Sequence, residues 1–179
     1  MARDYSIALD ISLSMSEPFS DMIPSKLQAA KEAVAILAQR VTVSGSRIAI
    51  TLFHGRPTPL LPLTSDYKAI VRALADVDMV GEGSALGDGI VEALKMLRPS
   101  RGRDRVVVVL TDGGVTEGVP VKAAVLYAKY SGVPLKLMIL NRRVEDSLKA
   151  EVESAGHPRA EIVLVESKQR LVAEMLRLV

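Results

Sequence analysis

Short apolar runs alternate with stretches in which apolar residues recur every three or four positions, and the two patterns take turns along nearly the whole chain. The first run, Tyr5 to Leu9, predicts a strand that stops at Asp10. After a loop from Met15 to Pro24, Ser25-Lys26-Leu27-Gln28 reads as a capping box. The helix it opens carries Leu27, Ala30, Val34, Leu37 and Val41 on one stripe. Arg47 to Phe53 predicts a second strand, Arg56 to Pro59 a turn, and Leu60 to Leu63 a short strand whose prolines suit only a sheet edge. Ser65 is placed to cap a helix running to about Val77.

Gly81-Glu82-Gly83-Ser84 predicts a tight loop into a helix from Ala85 to Leu97, with Ile90, Val91, Leu94 and Leu97 on one face. Arg105 to Leu110, with its four consecutive valines, is the most strand-like segment and suits a strand covered on both faces. Pro120 fits the first turn of a helix to Tyr130, closed by Gly132 and Pro134. Strands at Leu135–Leu140 and Ile162–Val165, a helix from Val144 to Ala155 stopped by Gly156, and a last helix from Ser167 complete the pattern. Such alternation predicts a doubly wound α/β sandwich: a mostly parallel six-stranded sheet with an antiparallel edge strand and helices on both faces. Without a repeat or a linker, the 179 residues read as one domain, 1–179.

Composition narrows the function. Hydrophobic residues at 49% and charged ones at 25% are ordinary for a globular chain. A net charge of +2 and only 3% aromatics offer neither a basic face nor stacking side chains, so nucleic acid is a poor partner. Cysteine is absent, which removes disulfides and thiolate ligands and fits a reducing compartment. No charged-then-apolar leader precedes the first strand and no apolar run approaches a membrane span, so the expectation is a cytoplasmic protein with no membrane partner.

The candidate chemistry sits at the ends of the strands. In Asp10-Ile11-Ser12-Leu13-Ser14 an aspartate and two hydroxyls alternate along a chain leaving a strand, so all three point the same way. A carboxylate with short hydroxyls suits a hard cation such as Mg²⁺, which takes oxygen ligands and keeps several waters; the alternative is a polar turn with a capping side chain. Asp112 ends the most buried strand and Ser84 enters a helix from a glycine-rich loop. In open α/β sheets ligands bind beyond the carboxyl ends of the strands, so these loops meet if the first and fourth strands are neighbours. The glycines run G-x-G-x-x-x-G with no following Walker lysine, which argues against a phosphate cradle.

These residues carry a resemblance. Ala8-Leu9-Asp10-Ile11-Ser12-Leu13-Ser14-Met15, Gly81-Glu82-Gly83-Ser84-Ala85-Leu86 and Val109-Leu110-Thr111-Asp112-Gly113 resemble, in order, the D-x-S-x-S-M, G-x-G-T-x-L and T-D-G signatures of the von Willebrand factor A (vWA) family, the integrin I-domain fold. The resemblance covers essentially the whole chain and implies a metal-ion-dependent adhesion site (MIDAS) at Asp10, Ser12, Ser14, Ser84 and Asp112. It implies Mg²⁺ (or Mn²⁺) held by Ser12 and Ser14, with Ser84 in the threonine position, both aspartates bound directly or through water, and an acidic side chain of a partner in the last place. Serine at 84 keeps the hydroxyl but loses the methyl that stiffens a threonine rotamer; a plain helix N-cap is its alternative role.

The remaining polar residues read as solvated: His54 and His157 each beside a turn residue, and Arg98, Arg101, Arg103 and Arg105 in one loop at the end opposite the proposed metal. Arg142 and Arg143 follow the fifth strand, at the metal's end, where they would orient an acidic partner. Glu17 and Asp21 lie in the loop after the first motif, with nothing to separate rim residues from a solvated loop. The function this implies is a metal-dependent protein-interaction module reading an Asp or Glu of a partner, and small members of the family beside AAA-type ATPases make such an ATPase a partner to consider. Two alternatives stand beside it: an Mg²⁺-dependent phosphoryl-transfer or phosphatase-like enzyme, and a scaffold with a structural metal. Against the enzyme, Ser12 stands where a nucleophilic-carboxylate phosphatase wants its second acid, and no G-x-S-x-G elbow surrounds Ser84, so no catalytic residue is assigned. A shift of the last helix on ligand binding, known in the family, would involve Ser167 to Val179.

Overall fold

Strand β1 (Arg3–Asp10) is buried along almost its whole length, and the sheet grows outward from it in both directions. The structure, a computed structural model, describes residues 2–78 and 81–179. With β2 (Arg47–Phe53), β3 (Pro57–Thr64), β4 (Asp104–Thr111), β5 (Leu135–Ile139) and β6 (Ala160–Leu164), the strand order is β3-β2-β1-β4-β5-β6. Every neighbouring pair is parallel except β2 with β3. The chain turns one way from β1 to β2 and the other way to β4, so the topological switch falls between β1 and β4, where this architecture opens a crevice.

The pleat of β1 sorts its side chains between two cores. Tyr5, Ile7 and Leu9 face α1 (Lys26–Val41), α2 (Tyr67–Ala75) and α6 (Lys168–Leu176), whose Leu27, Val34, Ile70, Leu74, Leu171 and Met175 pack there. Ala8, with Val107 and Val109 of β4, faces α3 (Leu86–Met96), α4 (Val121–Tyr130) and α5 (Asp146–Ser154). A valine run buried on both faces needs no polar alternation, which is why β4 reads as continuous apolar sequence. Among the described residues no helix is long and apolar enough to cross a membrane.

Several boundaries differ from expectation for identifiable reasons. The edge strand is longer than Leu60–Leu63 and begins at Pro57, inside the expected turn; with no neighbouring strand on one side among the described residues, it absorbs three prolines and the register shifts at Ile48/Ile50 and Ile50/Thr51. Asp66, not Ser65, caps α2 by accepting from the Ala69 amide. Only half of the capping box at α1 forms: Ser25 Oγ accepts from the Gln28 amide at 3.0 Å, while the Gln28 side chain donates to Glu32. Strand β6 starts two residues before Ile162 because Leu135 pairs with Ala160.

Two groups read as solvated are not. His157 is buried, with Nε2 2.8 Å from the Val133 carbonyl and Nδ1 accepting from the Arg159 amide, so it closes the turn before β6. In the arginine-rich loop, Arg103 donates from Nε to Asp4 Oδ1 at 3.0 Å, joining Arg47, which donates to Asp4 Oδ2 at 2.6 Å. Asp4 is fully buried at the opening of β1, so a charge there requires such partners. Burial works against its ionisation, but the Arg47 hydrogen bonds and the charges of the Arg47 and Arg103 guanidinium groups outweigh it and hold its pKa below the ordinary carboxylate value. Arg105 also finds a partner, donating to the Ser131 carbonyl at 3.1 Å.

Candidate metal centre

Asp10 is the last residue of β1 and points, like Ala8, toward the α3 face; its carboxylate is fully buried. Its Oδ1 accepts from the Ser12 amide at 2.9 Å, bending the chain sharply out of the strand. Its Oδ2 accepts from the Thr111 hydroxyl at 2.6 Å and from the Ser84 hydroxyl at 3.4 Å. One carboxylate therefore ties together the ends of β1 and β4 and the loop before α3. Burial pushes the Asp10 pKa up, the hydrogen bonds from Ser12 and Thr111 pull it back, and the nearby Asp112 charge adds to the upward push. A buried carboxylate with another close by is a place where a cation relieves strain in the charge distribution.

The hydroxyls stand next to it. Ser12 Oγ and Ser14 Oγ lie 3.2 Å apart, held by the 3-10 turn Leu13–Ser16 that follows the strand. Adjacent oxygens around an octahedral Mg²⁺ are about 3 Å apart, given bonds of roughly 2.0–2.1 Å, so this spacing fits a shared cation. An isolated bridge between Ser12 and Gly81 brings the glycine-rich loop alongside. Ser84 is buried and clamped by Thr116, whose hydroxyl accepts from the Ser84 amide at 2.8 Å and whose amide donates to the Ser84 carbonyl at 3.0 Å. The N-cap of α3 is Ala85 rather than Ser84, so the Ser84 hydroxyl is not spent on capping.

Asp112 is brought to the same end but is held differently. Its Oδ1 accepts from the Gly114 amide at 3.2 Å, and its Oδ2 lies 3.9 Å from the Lys26 ammonium. Asp10, Ser12, Ser14 and Ser84 thus form one hydrogen-bonded set, with Asp112 acting on it through its charge. The donor set, hydroxyls with two carboxylates, suits a hard divalent ion. Among the described residues no cluster of three or more His, Cys, Asp and Glu side chains offers a nitrogen- or sulfur-rich alternative.

The loop after β1 completes the surroundings. The Glu17 carbonyl accepts from the Lys26 amide at 3.0 Å, with its exposed carboxylate 3.8 Å from the Lys26 ammonium, and Asp21 accepts from the Lys168 amide, so this loop is tied to the starts of α1 and α6. The Phe19 ring has the Lys26 ammonium and the Arg142 guanidinium each 5.8 Å from its centre. Sequence reasoning missed Thr111, Thr116 and Lys26. For Lys26 there was a signal: a cation in the first turn of a helix opposes the helix dipole and asks for another reason. Thr116 offered none, since its role depends on a loop folding back over Ser84.

A doubly wound sheet with a hydroxyl-and-carboxylate cluster at its switch point defines a class of α/β domain that carries its ligand chemistry on strand-end loops. Within that class the chain belongs to the von Willebrand factor type A domain family, whose model matches residues 6–115. A UPF0353 protein of Mycolicibacterium paratuberculosis is 28% identical over 184 aligned positions, covering 94% of this chain and 53% of that protein, so the chain spans about half the length of this relative. Among solved structures, an aerotolerance-related membrane protein from Bacteroides fragilis superposes with a TM-score of 0.78 at 23% identity, covering 97% of this chain and 96% of that one. Proximal thread matrix protein 1 from the mussel byssus, with a zinc-occupied MIDAS motif, gives 0.80 at 21% identity, covering 98% and 44%. Domains of this family are commonly metal-dependent protein-interaction modules, mostly without enzymatic activity, and can hold a divalent ion at a MIDAS.

Proposed function

We propose that this chain is a metal-dependent protein-interaction module whose binding face is the C-terminal edge of β1 and β4 with the Gly81–Ser84 loop. Ser12, Ser14 and Ser84 would hold the ion through their hydroxyls, with Asp112 and Asp10 contributing directly or through water. The observation that carries this reading is the 3.2 Å pair of serine hydroxyls beside a buried carboxylate that already organises three loops. Two carboxylates neutralise a dication, and the ion then supplies Lewis acidity toward one further oxygen, which an Asp or Glu of a partner protein provides. Mg²⁺ is the first ion to test, then Mn²⁺; the zinc in the byssus protein makes Zn²⁺ a third. Arg142, over the Phe19 ring, and the neighbouring Arg143 are both exposed and would steer an acidic partner.

The test is a pull-down from native lysate with Mg²⁺ or EDTA, using wild type and Asp112→Ala as bait, with an AAA-type ATPase among the candidates to probe directly. A protein retained only with Mg²⁺ and lost with Asp112→Ala is the expected result. A partner held equally in EDTA and by the variant would place the interaction on another face and leave the ion a structural role.

A further inference from the structure

Lys26 is the first residue of α1, where the helix dipole repels a cation, and it is only 7% exposed. Burying an ammonium is costly unless it is paired. Its neighbours are the Asp112 carboxylate at 3.9 Å, the Glu17 carboxylate at 3.8 Å and the Phe19 ring at 5.8 Å. Two features oppose a lysine here, the dipole and the burial, and one favours it: the negative charge gathered at the strand ends. Both carboxylate contacts exceed direct hydrogen-bond length, so Lys26 acts on Asp112 as a charge and does not hydrogen-bond its Oδ2.

We propose that Lys26 is a built-in counter-ion of the metal centre: it balances Asp112 when no metal is bound, weakens metal binding, and leaves the loaded centre net positive. The inference rests on the metal reading above. The charge count gives the sign. Within the centre Asp10 and Asp112 supply two negative charges, a dication cancels them, and Lys26 remains as a positive charge beside the open coordination position. Glu117, whose carboxylate lies over Gly83, is exposed and screened by solvent. Glu17 offsets little of the Lys26 charge, because its side chain is 67% exposed and screened by solvent. A like charge next to an ion site lowers affinity for that ion, while the surplus raises the attraction for an incoming carboxylate. Lys26 is thus a positioning residue that sets an exchangeable metal against an acidic partner, and the two bind in mutual support.

The experiment is a calorimetric titration of Mn²⁺ into wild type, Lys26→Met and Lys26→Arg, with melting temperatures in EDTA. Methionine keeps the apolar stem and removes the charge, whereas arginine keeps the charge. The expected result is a Kd for Mn²⁺ lower by about tenfold or more in K26M, since a unit charge about 6 Å from a dication costs about tenfold in affinity even at a water-like dielectric constant of ~80. K26R stays near wild type. In EDTA, K26M melts below wild type, and Mn²⁺ narrows the difference. An unchanged or weaker affinity in K26M, with wild type binding normally, would overturn the role of Lys26 and leave the metal reading standing. Binding absent from both proteins would overturn both, while binding by K26M alone would show Lys26 excluding the ion outright. If K26M does not fold, Lys26→Gln replaces it; both neutral variants unfolded with and without Mn²⁺ would make Lys26 purely structural and end the proposal.

Discussion

Asp4 and Asp10 are two buried carboxylates on one strand, and their surroundings give them opposite titration behaviour. Asp4, tied to Arg47 and Arg103, has its pKa lowered, so its contribution to stability is complete above the unfolded value of about 3.9 and is lost as pH falls through the lower folded value. Asp4→Asn is therefore expected to cost about 2 kcal/mol at pH 7, a figure discounted from a fully buried pair because both guanidinium side chains are 31% exposed. Urea titrations of both proteins check this: the gap should stay constant from about pH 5 to 7 and narrow as pH falls below the unfolded value of about 3.9. A gap independent of pH down to the acid limit would mean that Asp4 acts by shape and not by charge. Neither arginine partner was legible in the sequence, because both reach Asp4 from segments far along the chain. Asp10 drew notice because the D-x-S-x-S pattern around it lies within four residues, whereas the hydrogen bonds it accepts from Ser84 and Thr111 come from 74 and 101 positions away.

At the level of elements, the order of strands and helices was readable because each alternates its own apolar period, and the sheet's buried centre, β1 and β4, gave the clearest runs. Ends were less readable where a neighbour decides them: β6 starts where β5 offers a partner, and β3 extends because an edge tolerates its prolines. The glycine-rich segment shows the same limit. Gly83 has φ +81°, a turn conformation that suits glycine, but Gly87 and Gly89 are in α3 for another reason. A Cβ on Gly87 would overlap the Val119 carbonyl oxygen, and one on Gly89 would meet the Phe53 ring at 2.7 Å. These glycines let the helix seat Ser84 close to the strand ends, a packing role the sequence suggests only as a glycine count. Gly87→Ala is expected to destabilise by about 1–3 kcal/mol, since the obstacle is backbone rather than a movable side chain. Chemical denaturation would check it, and a cost under about 0.5 kcal/mol, within the range of an ordinary surface change, would show that the α3–Val119 approach is loose.

At the scale of the whole molecule, an ion that binds only the folded chain stabilises it by mass action. On the proposed reading, millimolar Mg²⁺ raises the melting temperature of wild type at pH 7 and leaves Asp10→Asn unmoved. An equal rise in both proteins would assign the effect to nonspecific screening. The sheet carries a further consequence in its two borders. Pro57, Pro59 and Pro62 interrupt the row of amide donors that an approaching strand would need along β3, whereas β6 contains no proline. Two copies joined border to border through β6 would present only proline-broken margins outward. Any association of that type would be expected to stop at a pair, since the proline-bearing β3 borders would offer a further copy few amide donors.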